Sequence, residues 1–382
     1  MIKDIAGGKM QEKITDILLA GCPADCSDLR YATGLSSSDP VVYCRKGGRQ
    51  YLLVSPLDAG YVRRVARNAQ VFSFTDFHSR AGSGSQAAER ILGLLKKIRA
   101  AKVAVPHYFP LGLARKLEGL GLKIYIAESP LFPERAIKNS REIRMITHAQ
   151  AAACHAMRAA WNMIAGAVIT PRGTLKTGRQ LLTASMVRER IELVARDCGC
   201  VCRKTIVACG AQAANPHEIG WGALRAHRPI VIDIFPRHVA SGYWGDLTRT
   251  VARGRPPENI CAMNAAVRAA HARALARVKG GAAASEVHNA AVKVFKLRGF
   301  AGGEKDGQRD GFIHSVGHGV GLDIHESPPV GPGANELAPG NVITVEPGLY
   351  YRGQAGIRIE DTVLVTRGGF RLLARFPYRF VL

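Results

Sequence analysis

The chain has 382 residues, 47% of them hydrophobic and 22% charged, enough apolar material for a sizeable core and, by length, about two domains. That composition excludes disorder and fibrous repeats, and no apolar run reaches the roughly 18 to 20 uncharged residues that span a bilayer. The balance of 53 Lys+Arg against 30 Asp+Glu gives a formal charge of +23, which attracts polyanions; the basic residues are scattered (Arg63, Arg188, Arg268) and no nucleic-acid motif accompanies them, so only nonspecific attraction is expected.

Met1-Ile2-Lys3-Asp4-Ile5 shows no apolar leader. Nine cysteines in a chain this long do not read as a disulfide framework, so a reducing, cytoplasmic setting is expected, with no membrane partner.

Short β-type and helical runs alternate from residue 14 to about 133, the pattern of a small α/β layer domain. Residues 41–43 and 50–55 flank Lys46-Gly47-Gly48 and read as a hairpin. Helices are expected at 57–69, 86–100 and 111–120, the second following Gly84 and carrying Ile91, Leu94, Leu95 and Ile98 as a core stripe, with strands at 71–74, 102–105 and 123–127. Pro130 and Pro133 punctuate the chain, placing a boundary at 129–139 and domains at 1–133 and 134–382.

Beyond it, a long Ala-rich helix is expected from Ser140 to about Met163, with Met157, Trp161 and Met163 on its core face. Further helices are expected at 186–197, 258–278 and 285–297, and strands at 205–209 and 229–235. The last eighty residues or so are β-rich, and 302–311 read as an exposed loop. Helices followed by an antiparallel sheet describe an α+β domain.

Several ionisable residues interrupt apolar strands. Asp233 lies within Ile230-Val231-Ile232-Asp233-Ile234-Phe235, and a carboxylate there is costly to bury unless it meets a cation. Asp246 follows in Gly245-Asp246-Leu247-Thr248-Arg249-Thr250, where an antiparallel pairing brings both carboxylates to one face. Glu346 in Thr344-Val345-Glu346-Pro347 and Glu360 in Arg358-Ile359-Glu360-Asp361 break β-type runs too. His314, His318 and His325 fall within twelve positions among glycines that permit close backbone approach. Four carboxylates and an imidazole can neutralise two divalent cations, and this donor set suits Mn²⁺, Co²⁺, Fe²⁺ or Zn²⁺. A pair of such ions suits amide hydrolysis.

These motifs, with Asp28-Leu29-Arg30-Tyr31-Ala32-Thr33-Gly34 near the N-terminus, resemble the pita-bread metallopeptidases of the aminopeptidase P and prolidase branch. The resemblance implies an α+β fold with a small α/β creatinase-type N-terminal domain followed by a pita-bread catalytic domain, and a homodimer. It implies two divalent metal ions, manganese first and cobalt, iron or zinc as alternatives, with Asp233 on one, His318 and Glu346 on the other, and Asp246 and Glu360 bridging. Glu346 is then the proton acceptor, His325 steadies the substrate carbonyl, His314 and His217 line the pocket, and Arg358 buttresses the site. Asp233 and Asp246 stand thirteen positions apart, farther than the family usually shows; the extra residues fall in 236–241, read as a longer hairpin turn.

The reaction implied is hydrolysis of Xaa-Pro bonds in proline-containing peptides. Prolidase-like members generally meet the product carboxylate with an arginine between the last histidine and the first glutamate of the site. Residues 326–345 contain no Arg or Lys, so an Xaa-Pro aminopeptidase is expected, with an Xaa-Pro dipeptidase or a non-catalytic binding module with a basic surface as alternatives. Arg358 or Arg30 could supply the missing cation. His227, His238, His271 and His288 have no motif and are expected at the surface, and Cys22, Cys26, Cys198, Cys200 and Cys202, lacking paired CxxC spacing, as small buried thiols.

Overall fold

The structure, a computed structural model, describes residues 15–79, 86–300, 302–305, 307–333 and 335–382. The chain divides into two units, Met1–Pro133 and Glu134–Leu382.

The first unit runs β1 (Ile17–Gly21), α1 (Ser27–Thr33), β2 (Val41–Lys46), β3 (Arg49–Val54), α2 (Ala59–Val65), β4 (Ala69–Ser73), α3 (Gln86–Lys97), β5 (Lys102–Val105), α4 (Leu111–Gly119) and β6 (Lys123–Ile126). Gly47 and Gly48 both adopt positive φ, the left-handed backbone that a tight β-hairpin turn demands, and they join β2 to β3. One sheet results, ordered β4-β3-β2-β1-β5-β6.

Alternate side chains of its strands leave on opposite faces. Leu18, Val42, Cys44 and Leu53 pack with Ile91, Leu94 and Leu95 of α3, while Leu19, Val41, Tyr43 and Leu52 pack with Leu29 of α1 and Val62 of α2. The expected α/β layering therefore holds, with helices over both faces. Helix α2 is shorter than expected because Ala69 and Gln70 are drawn into β4, opposite Gln50 and Tyr51. Gly84 lies outside the described residues.

The second unit begins with α5 (Ser140–Ala165). Asn139 and Glu142 start it as a capping box: the Asn139 side chain accepts from the Arg141 and Glu142 amides, and the Glu142 carboxylate accepts from the Asn139 amide at 2.8 Å. Small strands β7 (Val168–Ile169), β8 (Leu175–Thr177) and β9 (Gln180–Leu181) lead to α6 (Ala184–Asp197). Then come β10 (Cys200–Cys202), β11 (Ile206–Cys209), β12 (Ile230–Ile234), β13 (Pro236–His238), β14 (Leu247–Val251), α7 (Glu258–Leu275) and α8 (Ala284–Leu297). The chain ends with β15 (Gly303–Lys305), β16 (Gln308–Asp310), β17 (Gly317–Gly319), β18 (Glu326–Val330), β19 (Val342–Val345), β20 (Gly348–Tyr351), β21 (Ala355–Arg358), β22 (Asp361–Thr366) and β23 (Gly369–Leu372).

Two helix pairs each cover one face of a sheet. Met157, Trp161 and Ile164 of α5 and Val187 and Ile191 of α6 pack on Ile230, Ile232 and Ile234 of β12, with Met163 against the same cluster; this sheet is ordered β11-β12-β14. Met263 and Val267 of α7 and Val287 and Phe295 of α8 pack on Ile343 and Val345 of β19, in a sheet ordered β18-β17-β19-β22-β23. Period-two alternation then sends Asp233 and Thr344 to the faces turned away from the helices.

Three expectations are corrected. Residues 302–311 hold the antiparallel pair β15–β16, turned at Gly307 with positive φ, instead of an open loop. The extra residues at 236–241 do more than lengthen a turn, since β13 pairs with β10, Val201 opposite Arg237. His271 is buried at 2% exposure, because it lies on the α7 stripe with Val267 and Ala274, and burial holds its imidazole neutral with a pKa pushed down to about 4. His288 is half-buried, stacked on Phe312 at 5.2 Å, and His238 is half-buried against His148; His227 alone of the four is exposed.

All nine cysteines are free thiols, Cys44 and Cys200 buried and the others half-buried. Burial pushes the Cys44 and Cys202 thiols up to about 12. Among the described residues no helix is long and apolar enough to cross a membrane.

Candidate metal centre

The side chains turned away from the helices border one cavity of about 1070 Å³, and all nine residues expected at the site line it: His217, Asp233, Asp246, His314, His318, His325, Glu346, Arg358 and Glu360. The register explains the convergence of the aspartates. Asp233 of β12 stands opposite Thr248 of β14, so Asp246, two residues before Thr248, shares its face.

Each carboxylate is held differently. Asp246 sits at the end of a loop clamped to α5: Gln150 donates to its carbonyl at 2.8 Å and accepts from its amide at 2.7 Å. Gly245 makes this approach possible, because a Cβ there would lie 2.6 Å from the backbone of Ala149 and Gln150. Thr248 donates to Glu360 Oε2 at 2.7 Å, and Thr344 donates to Glu346 Oε1 at 3.2 Å. Arg358 Nη2 donates to Asp233 Oδ2 at 2.7 Å, and its Nη1 donates to the Tyr350 hydroxyl at 2.9 Å, which in turn lies 3.0 Å from His314 Nε2.

His318 rests on a strand that glycine alone can supply. A Cβ at Gly317 would lie 2.1 Å from the Thr344 carbonyl, so β17 and β19 close up beside the site. His318 Nδ1 donates to the Gly319 carbonyl at 3.1 Å, which turns Nε2 toward Glu346 Oε1 at 3.2 Å and Asp246 Oδ2 at 3.8 Å. The exposed His325 presents its ring edge-on to His318 at 4.2 Å. His217 is exposed on the cavity rim, in a turn where Asn215 Oδ1 accepts its amide at 3.2 Å.

Electrostatics set these groups apart. Burial, then Glu360 and the other facing carboxylates, push Asp246 well above the ordinary range; burial, then Glu346 and Asp233, do the same to Glu360. Burial is the largest single influence on Glu346 and pushes it upward, but the hydrogen bond and charge of His318, with His314 and Arg358, together outweigh it and hold the carboxyl at about 2. Such mutual repulsion is what bound cations relieve.

The donor set fits divalent cations. Asp246, His318 and Glu360 offer ligand atoms that all lie within 4.8 Å of one another. Asp233 Oδ1 is buried with no hydrogen-bond partner, a buried acceptor facing the same cavity. Oxygen donors with one imidazole and no thiolate suit Mn²⁺, Co²⁺, Fe²⁺ or Zn²⁺.

Gln150, Thr248, Thr344 and Tyr350 were not legible as site residues. Gln150 and Thr248 act on partners about a hundred residues away, Thr344 and Tyr350 on nearer ones, and the only local signal was a polar side chain inside an apolar pattern, as Gln150 is in α5.

An oxygen-rich candidate metal site, on a unit whose two main sheets are each covered by a helix pair, defines a metallohydrolase-like class. A model of metallopeptidase family M24 matches residues 144–367, and the chain belongs to that family. It is 37% identical over 172 residues to an Xaa-Pro dipeptidase of Pyrococcus furiosus, a stretch covering 45% of this chain and 47% of that protein; the match thus spans less than half the relative's length. In fold, it resembles an Xaa-Pro dipeptidase from Bacillus anthracis (TM-score 0.81, 22% identity, 97% of this chain and 95% of that one). It also resembles an X-Pro aminopeptidase from Thermotoga maritima (TM-score 0.79, 23% identity, 97% and 98%). The second unit has the pita-bread fold, and a creatinase-type α/β domain precedes it in the chain.

Proposed function

We propose that the chain is a metal-dependent exopeptidase that hydrolyses Xaa-Pro bonds, with Xaa-Pro dipeptides as its first substrates, residues 134–382 as its catalytic domain and residues 1–133 as the accompanying creatinase-like domain. The observation that carries the reaction class is the convergence of Asp233, Asp246, Glu346, Glu360 and His318 on one cavity. Similarity to the P. furiosus dipeptidase supports dipeptides over the aminopeptidase expected from the sequence. The aminopeptidase is the second reading, favoured by the lack of Arg and Lys in residues 326–345.

Asp233 would hold one ion, His318 and Glu346 the other, and Asp246 and Glu360 both. Divalent ions bound there supply Lewis-acid activation of water and of the scissile carbonyl. Glu346 takes the proton released by the attacking water and is positioned for it by Thr344. His325 donates a hydrogen bond to the oxygen on which charge develops. Arg358 keeps Asp233 oriented and, through Tyr350, fixes His314 beside the substrate.

His325→Ala lowers kcat by about 10²-fold, the cost of one lost donor to a developing oxyanion, while metal content stays at the wild-type level. The loop is pinned independently of the ring, since Arg135 and Lys138 hold Glu326 at 2.7 and 2.6 Å. Elemental analysis beside kinetics checks it; a parallel loss of metal and activity makes His325 a ligand instead.

The substrate class is tested with Ala-Pro and Ala-Pro-Ala under saturating Mn²⁺. A higher kcat/KM for Ala-Pro is expected, and preference for the tripeptide restores the aminopeptidase reading.

A further inference from the structure

A dipeptide ending in proline brings a carboxylate one residue beyond the scissile carbonyl, and burying that charge without a partner is costly. The cavity must therefore present a cation, and residues 326–345 hold none. Arg358 is committed: Nη2 is on Asp233, Nη1 is on the Tyr350 hydroxyl, and Nε faces Thr248 Oγ1 at 3.3 Å. Arg30 is buried in the first unit, bonding the Leu35 carbonyl. Lys204 is the other Lys or Arg side chain that lines the cavity. It is exposed, and its ammonium makes no hydrogen bond or ion pair among the described residues.

Its placement fits the task. Lys204 lies in the bend between β10 and β11, two residues before Ile206, which pairs with Asp233 and also lines the cavity. Ile206, Ile219 and Phe235 add apolar wall to the same cavity, suited to a pyrrolidine ring. The Lys204 backbone is left-handed, φ 62°, a conformation unfavourable for a residue with a Cβ and one that clusters at ligand-binding positions.

We infer that Lys204 receives the carboxylate of the substrate's C-terminal proline and so sets the preference for dipeptides; the inference rests on the dipeptidase reading. A lysine serves as a point charge on a flexible stem, in place of a forked arginine contact. The role is one of substrate specificity, separate from the metal ligands.

The test compares wild type, Lys204→Met and Lys204→Arg, loaded with Mn²⁺, on Ala-Pro and on Ala-Pro amide, which lacks the carboxylate. The kcat/KM ratio of acid to amide falls at least about tenfold in Lys204→Met, mainly through KM, as expected for a lost charge-assisted hydrogen bond, and Lys204→Arg retains most of it. Calorimetric binding of proline relative to prolinamide weakens in parallel. An unchanged ratio in Lys204→Met, with Ala-Pro still cleaved by wild type, overturns the inference alone. Cleavage of neither substrate by wild type overturns the dipeptidase reading and the inference with it.

Discussion

Glu360→Ala abolishes Xaa-Pro hydrolysis to the level of chelated wild type and lowers metal content. Glu360 is buried at 2% exposure, and its carboxylate reaches both Asp246 and His318. A single ion supplies several kcal/mol of transition-state stabilisation; at 1.36 kcal/mol per decade, loss of Glu360 in the ligand role proposed for it would cost roughly 10³-fold in kcat. Chelation of wild type followed by Mn²⁺ addition restores activity, whereas the variant does not recover. Its backbone amide remains on the Thr248 carbonyl, so the strand is retained and circular dichroism should match wild type. A Glu360→Ala protein with full metal content and a tenth or more of the wild-type kcat defeats the proposed metal centre.

Arg249→Met produces the largest loss of stability. This guanidinium is 1% exposed and donates to the Thr248 and Glu360 carbonyls, to Asp361 Oδ1 at 2.7 Å, and to the Phe376 and Pro377 carbonyls at 2.9 and 3.1 Å. It ties β14 to β22 and to the C-terminal segment. Removing one partner of a buried pair costs about 3–5 kcal/mol. In a unit of this size, that lowers the midpoint of its thermal transition by roughly 6–20 °C. Scanning calorimetry reads it. Arg249→Met with Asp361→Leu recovers part of the loss, because the carboxylate that keeps the Tyr378 hydroxyl but has lost its cation goes too; a shift below about 2 °C in the single variant removes the argument.

The candidate ligands were legible because an acidic residue in an apolar strand is conspicuous: Ile232-Asp233-Ile234 points its flanks at a helix pair and the carboxylate away from it. His271 was misplaced because Asp361, whose carboxylate lies 3.3 Å from its Nε2, is on a distant strand; the spacing to Val267 and Ala274 carried the better signal. Residues 302–311 looked open because polar composition hides a two-strand pairing that only backbone hydrogen bonds define. The aminopeptidase expectation came from the absence of a cation in one segment. Lys204 sits far from that segment in sequence, in a bend with no motif, and only the fold brings it to the cavity.

The candidate ligands arrive from β12, from the edge of β14, from β17, and from the ends of β19 and β21. No short fragment of the chain can reproduce them, and they meet only when long-range strand pairings have closed, the slow class of contact in folding. Until then the carboxylates are separate and weak; once assembled, they repel one another. Divalent cations that bind the assembled form alone therefore pull the second unit toward its native state by mass action, which makes metal supply a determinant of how much of the chain is folded as well as of how fast it works.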